Sequence, residues 1–119
     1  SFFQYENASA VQMLPGLIRR TLVCSDNMMI CRFDLDKGVK IPDHSHSHDQ
    51  AGYVVSGKIR ITVDGKSLDL GAGDSYSAPP NALHSAQALE ASVVVDAFYP
   101  PGMTIGLLPI DGHIGSTNF

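Results

Sequence analysis

Three histidines and one glutamine in this chain are spaced so that they could hold a metal ion. His44 and His46 are one residue apart, so on an extended chain both imidazoles leave the same side. Gln50 keeps that parity and can return a carboxamide oxygen to the same point, while His84 arrives from beyond Pro79 to close the set. Imidazole and amide donors suit one divalent transition ion, and nickel, manganese, iron, cobalt and zinc all accept them. Because the four donors are neutral, the ion would keep its full double charge, which favours Lewis-acid chemistry on a small, anionic, oxygen-rich substrate. Such a centre has no ligating carboxylate to serve as a base, so proton transfer needs another residue.

Asp96 is a candidate for that role. It interrupts the apolar run Val93–Val94–Val95, and a carboxylate there either faces solvent or lines a cavity, since burial without a partner is costly. Phe98 shares its face and is either core or pocket wall. His48 has the parity of His44 and His46, but a ligand at both His46 and His48 would crowd the ion. It is left as pocket rim, support for the ligands, or plain surface. His113 reads as a surface residue of the C-terminal stretch.

The elements that must position these groups are short strands. Met29, Cys31, Phe33 and Leu35 alternate with polar residues over Met28–Asp36, and Ile59, Ile61 and Val63 do so over 58–63. Further strands are expected at Leu17–Cys24, Gln50–Ser56, Ser67–Leu70, Ser75–Ala78, Leu83–Ala88 and Ser92–Tyr99. Asp64-Gly65 marks a hairpin. Eight or nine strands with frequent turns and little helical period predict an all-β closed sandwich or barrel in a single domain. Ser1–Leu14 carries no pattern, so the barrel is expected over about 17–101. The apolar residues Ile105, Leu107, Leu108 and Ile110 are expected to cover a barrel edge or a partner subunit.

Composition narrows the function. The 119 residues carry a net charge of −4 with no basic stripe, which argues against a nucleic-acid partner. No apolar run approaches the roughly 20 residues that span a bilayer. The two cysteines, Cys24 and Cys31, are expected to be reduced core residues, and no export leader is evident, so the expected location is the cytoplasm.

Glycines and prolines complete two boxes, Gly38-x5-His44-x-His46-x3-Gln50-x6-Gly57 and Gly73-x5-Pro79-x-Asn81-x2-His84. These resemble the two boxes of the cupin superfamily, which implies a double-stranded β-helix, the cupin jelly-roll barrel, with a metal in its mouth. Gln50 stands where most metal-binding members have glutamate, Asn81 replaces a glycine, and Ala88 stands where many have asparagine. Within the superfamily the chain is most similar to the KdgF pectin-degradation cupins, through Arg19-Arg20, the run Asp43–Gly57, Ala78-Pro79-Pro80-Asn81 and Asp96-Ala97-Phe98. That resemblance implies conversion of 4,5-unsaturated monouronates to linear keto forms, an isomerase or lyase-like reaction, with Asp96 and Phe98 in the active site. The family also places an arginine soon after this last motif. None follows here, which leaves Arg19, Arg20 or Arg32 to meet a substrate carboxylate. Cupins commonly pair, so a homodimer is expected. The alternatives are a metal-dependent oxygenase and a non-catalytic sugar-binding or metabolite-binding module.

Overall fold

Alternation between buried and exposed side chains dictates the architecture, and it is strictest in the strand Met29–Leu35, where every second residue is buried. The computed structural model describes residues 1–102, with ten strands. They are β1 (Ala10–Leu14), β2 (Leu17–Cys24), β3 (Met29–Leu35), β4 (Lys40–His44), β5 (Asp49–Ser56), β6 (Lys58–Val63), β7 (Lys66–Gly71), β8 (Ser75–Ala78), β9 (His84–Ala88) and β10 (Ser92–Tyr99). A six-stranded sheet runs β1-β2-β3-β10-β5-β8, a four-stranded sheet runs β4-β9-β6-β7, and the two enclose the core as a jelly roll. Among the described residues no helix is long and apolar enough to cross a membrane.

The register of the large sheet stacks inward-facing residues in rows. Leu17, Leu35 and Ser92 form one row, and Arg19, Phe33, Val94 and Val54 the next. Thr21, Cys31, Asp96, Gly52 and Tyr76 form a third, and Phe98, Gln50 and Ala78 lie in the row above it. The buried histidines, Gln50 and Asp96 therefore gather at one end of the barrel, over apolar side chains such as Phe33, Ile59 and Val94.

Two turns rest on unusual backbone. Asp64 and Gly65 both take positive φ, 50° and 81°, the left-handed pair that closes a tight hairpin between β6 and β7. Gly57 has φ 91°, and a Cβ there would run into the Ala91 carbonyl and Ser92, so neither the angle nor the space admits a side chain.

Four expectations need correction. Ser1–Leu14 is not featureless: Tyr5–Asn7 form a 3-10 turn and β1 adds an edge strand that buries Met13 completely. The sheets thus begin at Ala10 rather than near residue 17. β4 was obscured by Pro42, which lacks an N–H and is tolerated because β4 lies at a sheet edge. His44, His46 and Gln50 do not share one extended chain. His44 ends β4, His46 lies in the connection, and Gln50 is in β5 of the opposite sheet, so the chain crosses the barrel mouth between them. Cys24 is exposed, not core, whereas Cys31 is buried, and both are free. The expectations for Ile105, Leu107, Leu108, Ile110 and His113 lie outside the described residues.

Candidate metal centre

β4 and β9 pair so that His44 stands directly opposite His84, with ring centroids 4.1 Å apart. In each ring Nδ1 donates to the carbonyl two residues back, Pro42 at 2.8 Å and Ala82 at 2.9 Å. A carbonyl only accepts, so these bonds fix the tautomer and put the ring lone pair on Nε2. His84 Nε2 is buried and has no hydrogen-bond partner among the described residues. His46 completes the group, with one nitrogen from each ring within 4.8 Å of the others.

The second sequence box holds His46 in place. Asn81 takes φ 67°, which asparagine tolerates better than most residues, and its N–H donates to the His46 carbonyl at 2.7 Å. Asparagine therefore performs the backbone task expected of glycine at that position. His48 lies edge-on against His46 and Phe98, and its Nδ1 bonds the Pro100 carbonyl at 2.6 Å. It is buried and braces the His46 ring.

Gln50 joins this group to Asp96. Its Oε1 lies 3.0 Å from His46 Nε2, while its Nε2 donates to Asp96 Oδ2 at 2.8 Å and to Tyr76 Oη at 3.1 Å. An amide oxygen only accepts, so His46 Nε2–H donates to Gln50 Oε1, and the buried His46 Nδ1 has no hydrogen-bond partner among the described residues. The three-histidine group could hold a metal, and the Gln50 oxygen lies beside His46.

Burial sets the electrostatics. Desolvation holds the His44 imidazole down at about 4, helped by the neighbouring His84 and His46, and it lowers His46 as well. Both are therefore neutral at physiological pH, the state in which imidazole can ligate. Asp96, 4% exposed, is pushed up to about 7 by desolvation, against the opposing hydrogen bonds from Tyr76 and Gln50. Its carboxyl lines a cavity together with His44, His84, Gln50, Tyr76 and Phe98. Asp96 is thus inward, and Phe98 is both core and cavity wall.

The adjacent arginines separate by parity. Arg19 faces inward, is 8% exposed, and has no ion pair or hydrogen bond among the described residues, with its Nε fully buried. It does not line the cavity itself but stands one row deeper than Asp96. Arg20 and Arg32 instead point outward, where both meet Asp34, at 3.6 Å and 2.8 Å, and both lie over the Tyr5 ring. The expectation that Arg20 binds substrate is withdrawn, since adjacent strand residues face opposite sides. Tyr76 does not stand out in the sequence. The only hint was Gly52, an unexplained glycine inside a strand.

Comparison with known proteins agrees with this geometry. Residues 31–97 match the family described as the cupin domain. The pectin degradation protein KdgF of Dickeya dadantii is 34% identical over 87 residues, covering 71% of this chain and 79% of that protein. The structure of KdgF from Halomonas sp. superposes with a TM-score of 0.81 at 33% identity, over 87% of this chain and 96% of that one. An RmlC-like cupin from Shewanella frigidimarina gives 0.81 at 32% identity, over 86% and 92%. With its jelly-roll fold, its histidine cluster at the barrel mouth and these relatives, the chain belongs to the cupin family and resembles the KdgF proteins within it.

Proposed function

We propose that this protein opens and tautomerises a small anionic sugar derivative, a 4,5-unsaturated monouronate, to its linear keto form. The observation that carries this reading is Asp96: a buried carboxylate 2.8 Å from the Gln50 amide, on the wall of the cavity that also holds His44 and His84. His44, His46, Gln50 and His84 would hold one divalent ion, of nickel, manganese, iron, cobalt or zinc. When bound, that ion supplies a Lewis acid for carboxylate or hydroxyl oxygens.

Asp96 does the proton work. Ring opening removes the proton of the anomeric hydroxyl and breaks the bond from C1 to the ring oxygen. Bond cleavage leaves the former ring oxygen as an enolate at C5, which becomes a ketone by gaining a proton at C4, so one proton leaves, one returns and the reaction is a balanced isomerisation. A carboxyl poised near pH 7 can accept the first proton and return one. Phe98 walls the site, and the T-shaped packing of His48 on Phe98 and His46 fixes its rim. Arg19, an inward cation without a counter-ion among the described residues, supplies positive potential for a carboxylate and takes the place of the arginine lacking after Asp96-Ala97-Phe98.

The test follows loss of the enol-ether chromophore of an unsaturated uronate. Metal-loaded protein should accelerate its disappearance over the spontaneous reaction, and Asp96→Asn, assayed at saturating metal, should lose at least about 10²-fold in rate. No acceleration by metal-loaded wild type refutes the substrate assignment, and oxygen uptake with enediols would replace it by an oxygenase. The proposal includes a homodimer, supported by Tyr53 and Val55, half-exposed on the outer face of β5 beside Val95 and Ala97. It also includes a cytoplasmic location, which the two free thiols suit.

A further inference from the structure

A carboxamide has two ends of nearly equal size, and only the oxygen can offer a lone pair to a cation. The orientation of Gln50 is therefore a chemical decision, and the residues around its nitrogen make it. Both N–H bonds of Gln50 Nε2 are used, one on Asp96 Oδ2 at 2.8 Å and one on Tyr76 Oη at 3.1 Å. The Tyr76 hydroxyl in turn donates to Asp96, at 2.9 Å from Oδ2 and 3.1 Å from Oδ1. Three side chains from β5, β8 and β10 thus close a ring of hydrogen bonds, and the amide oxygen is left facing His46 at 3.0 Å.

Sheet geometry says how Tyr76 reaches so far. It sits on β8, the edge strand, and Asp96 lies two strands away, about 9.6 Å between backbones. The residue between them in the same row is Gly52. A Cβ at Gly52 would collide with Asp96 Oδ1 and with the Tyr76 ring. The tyrosine therefore lies across the space a side chain at position 52 would fill, and its hydroxyl arrives at the carboxylate.

We propose that Tyr76 is a positioning residue of the metal centre: through Asp96 and the Gln50 amide nitrogen it turns the Gln50 oxygen toward the three histidines, and Gly52 provides the room it needs. The proposal rests on the reading of His44, His46, Gln50 and His84 as metal ligands. Removing the hydroxyl leaves one Gln50 N–H without its acceptor, so at its nitrogen the amide is held by Asp96 alone. Partners of this kind, one step removed from the ion, are worth about 10–100-fold in metal affinity.

The experiment titrates Co²⁺ into metal-stripped wild type, Tyr76→Phe and Gly52→Ala, reading calorimetry and the visible d–d spectrum, with circular dichroism to establish that each variant is folded. Tyr76→Phe should bind Co²⁺ at least about tenfold more weakly, with an altered spectrum, and Gly52→Ala should move both readouts the same way. Wild-type affinity and an unchanged spectrum in folded Tyr76→Phe overturn the inference and leave the metal centre standing. If wild type itself takes up no Co²⁺, the ligand reading fails and the inference falls with it. A measurement on the unmodified protein guards against a variant that does not fold. The Gln50 side-chain amide protons should exchange with solvent far more slowly than those of exposed Gln4, and equal rates overturn the proposal.

Discussion

Asp96 and His44 should pull the pH dependence of stability in opposite directions, and replacing one should unmask the other. Asp96 titrates near 7 in the folded, metal-free protein and near 3.8 when unfolded, so the folded state is the more strongly protonated between those values. Stability is lost as pH rises through that window, by about 3 kcal/mol between pH 4 and 7. His44 falls from 6.5 to about 4 on folding, so the unfolded state is the more strongly protonated between pH 4 and 6.5. Its contribution is lost as pH falls, again by about 3 kcal/mol over the same interval. In wild type the two nearly cancel. Urea denaturation of EDTA-treated protein at pH 4, 5, 6 and 7 measures the sum. Relative to wild type, Asp96→Asn should gain about 3 kcal/mol in going from pH 4 to 7, because only the imidazole contribution is left. His44→Ala should lose a similar amount over the same range. Parallel curves for wild type and Asp96→Asn would show that the carboxyl titrates normally, and the burial argument for Asp96 would be refuted.

Other consequences are simpler to measure. His84→Ala removes a proposed ligand whose Nε2 has no hydrogen-bond partner among the described residues, so metal analysis after dialysis should find the ion lost while circular dichroism stays that of wild type. Arg19→Ala should raise KM for a uronate with kcat little changed, whereas Arg20→Ala, on the outer face, should leave both within about twofold, since it removes only outer-face contacts to Asp34 and the Tyr5 ring. Gly57→Ala should cost at least about 1–3 kcal/mol in chemical denaturation, because φ 91° and the Ala91 carbonyl leave a methyl no unstrained position.

Most of the fold could be read from the chain because strand burial has a period of two, and β3 and β6 carry that period undisturbed. β1 and β4 could not, since short edge strands bury few residues and Pro42 breaks the pattern of one of them. The cysteines show the same limit: Cys24 ends a strand in solvent, and nothing in its neighbours announces that.

The chemical types of the candidate donors, their order and the turns around them can be read from the sequence alone. Imidazole and amide donors are chemical identities, and Gly57 and the Asp64-Gly65 pair are local backbone demands. Which groups meet was decided by the tertiary structure. His44 and Gln50 come from different sheets, and Asp96 reaches Gln50 along a diagonal set by strand register. Parity along one strand says only that Arg19 and Arg20 face opposite ways. Which of them is buried depends on the second sheet that closes over one face, and that is a property of the folded whole.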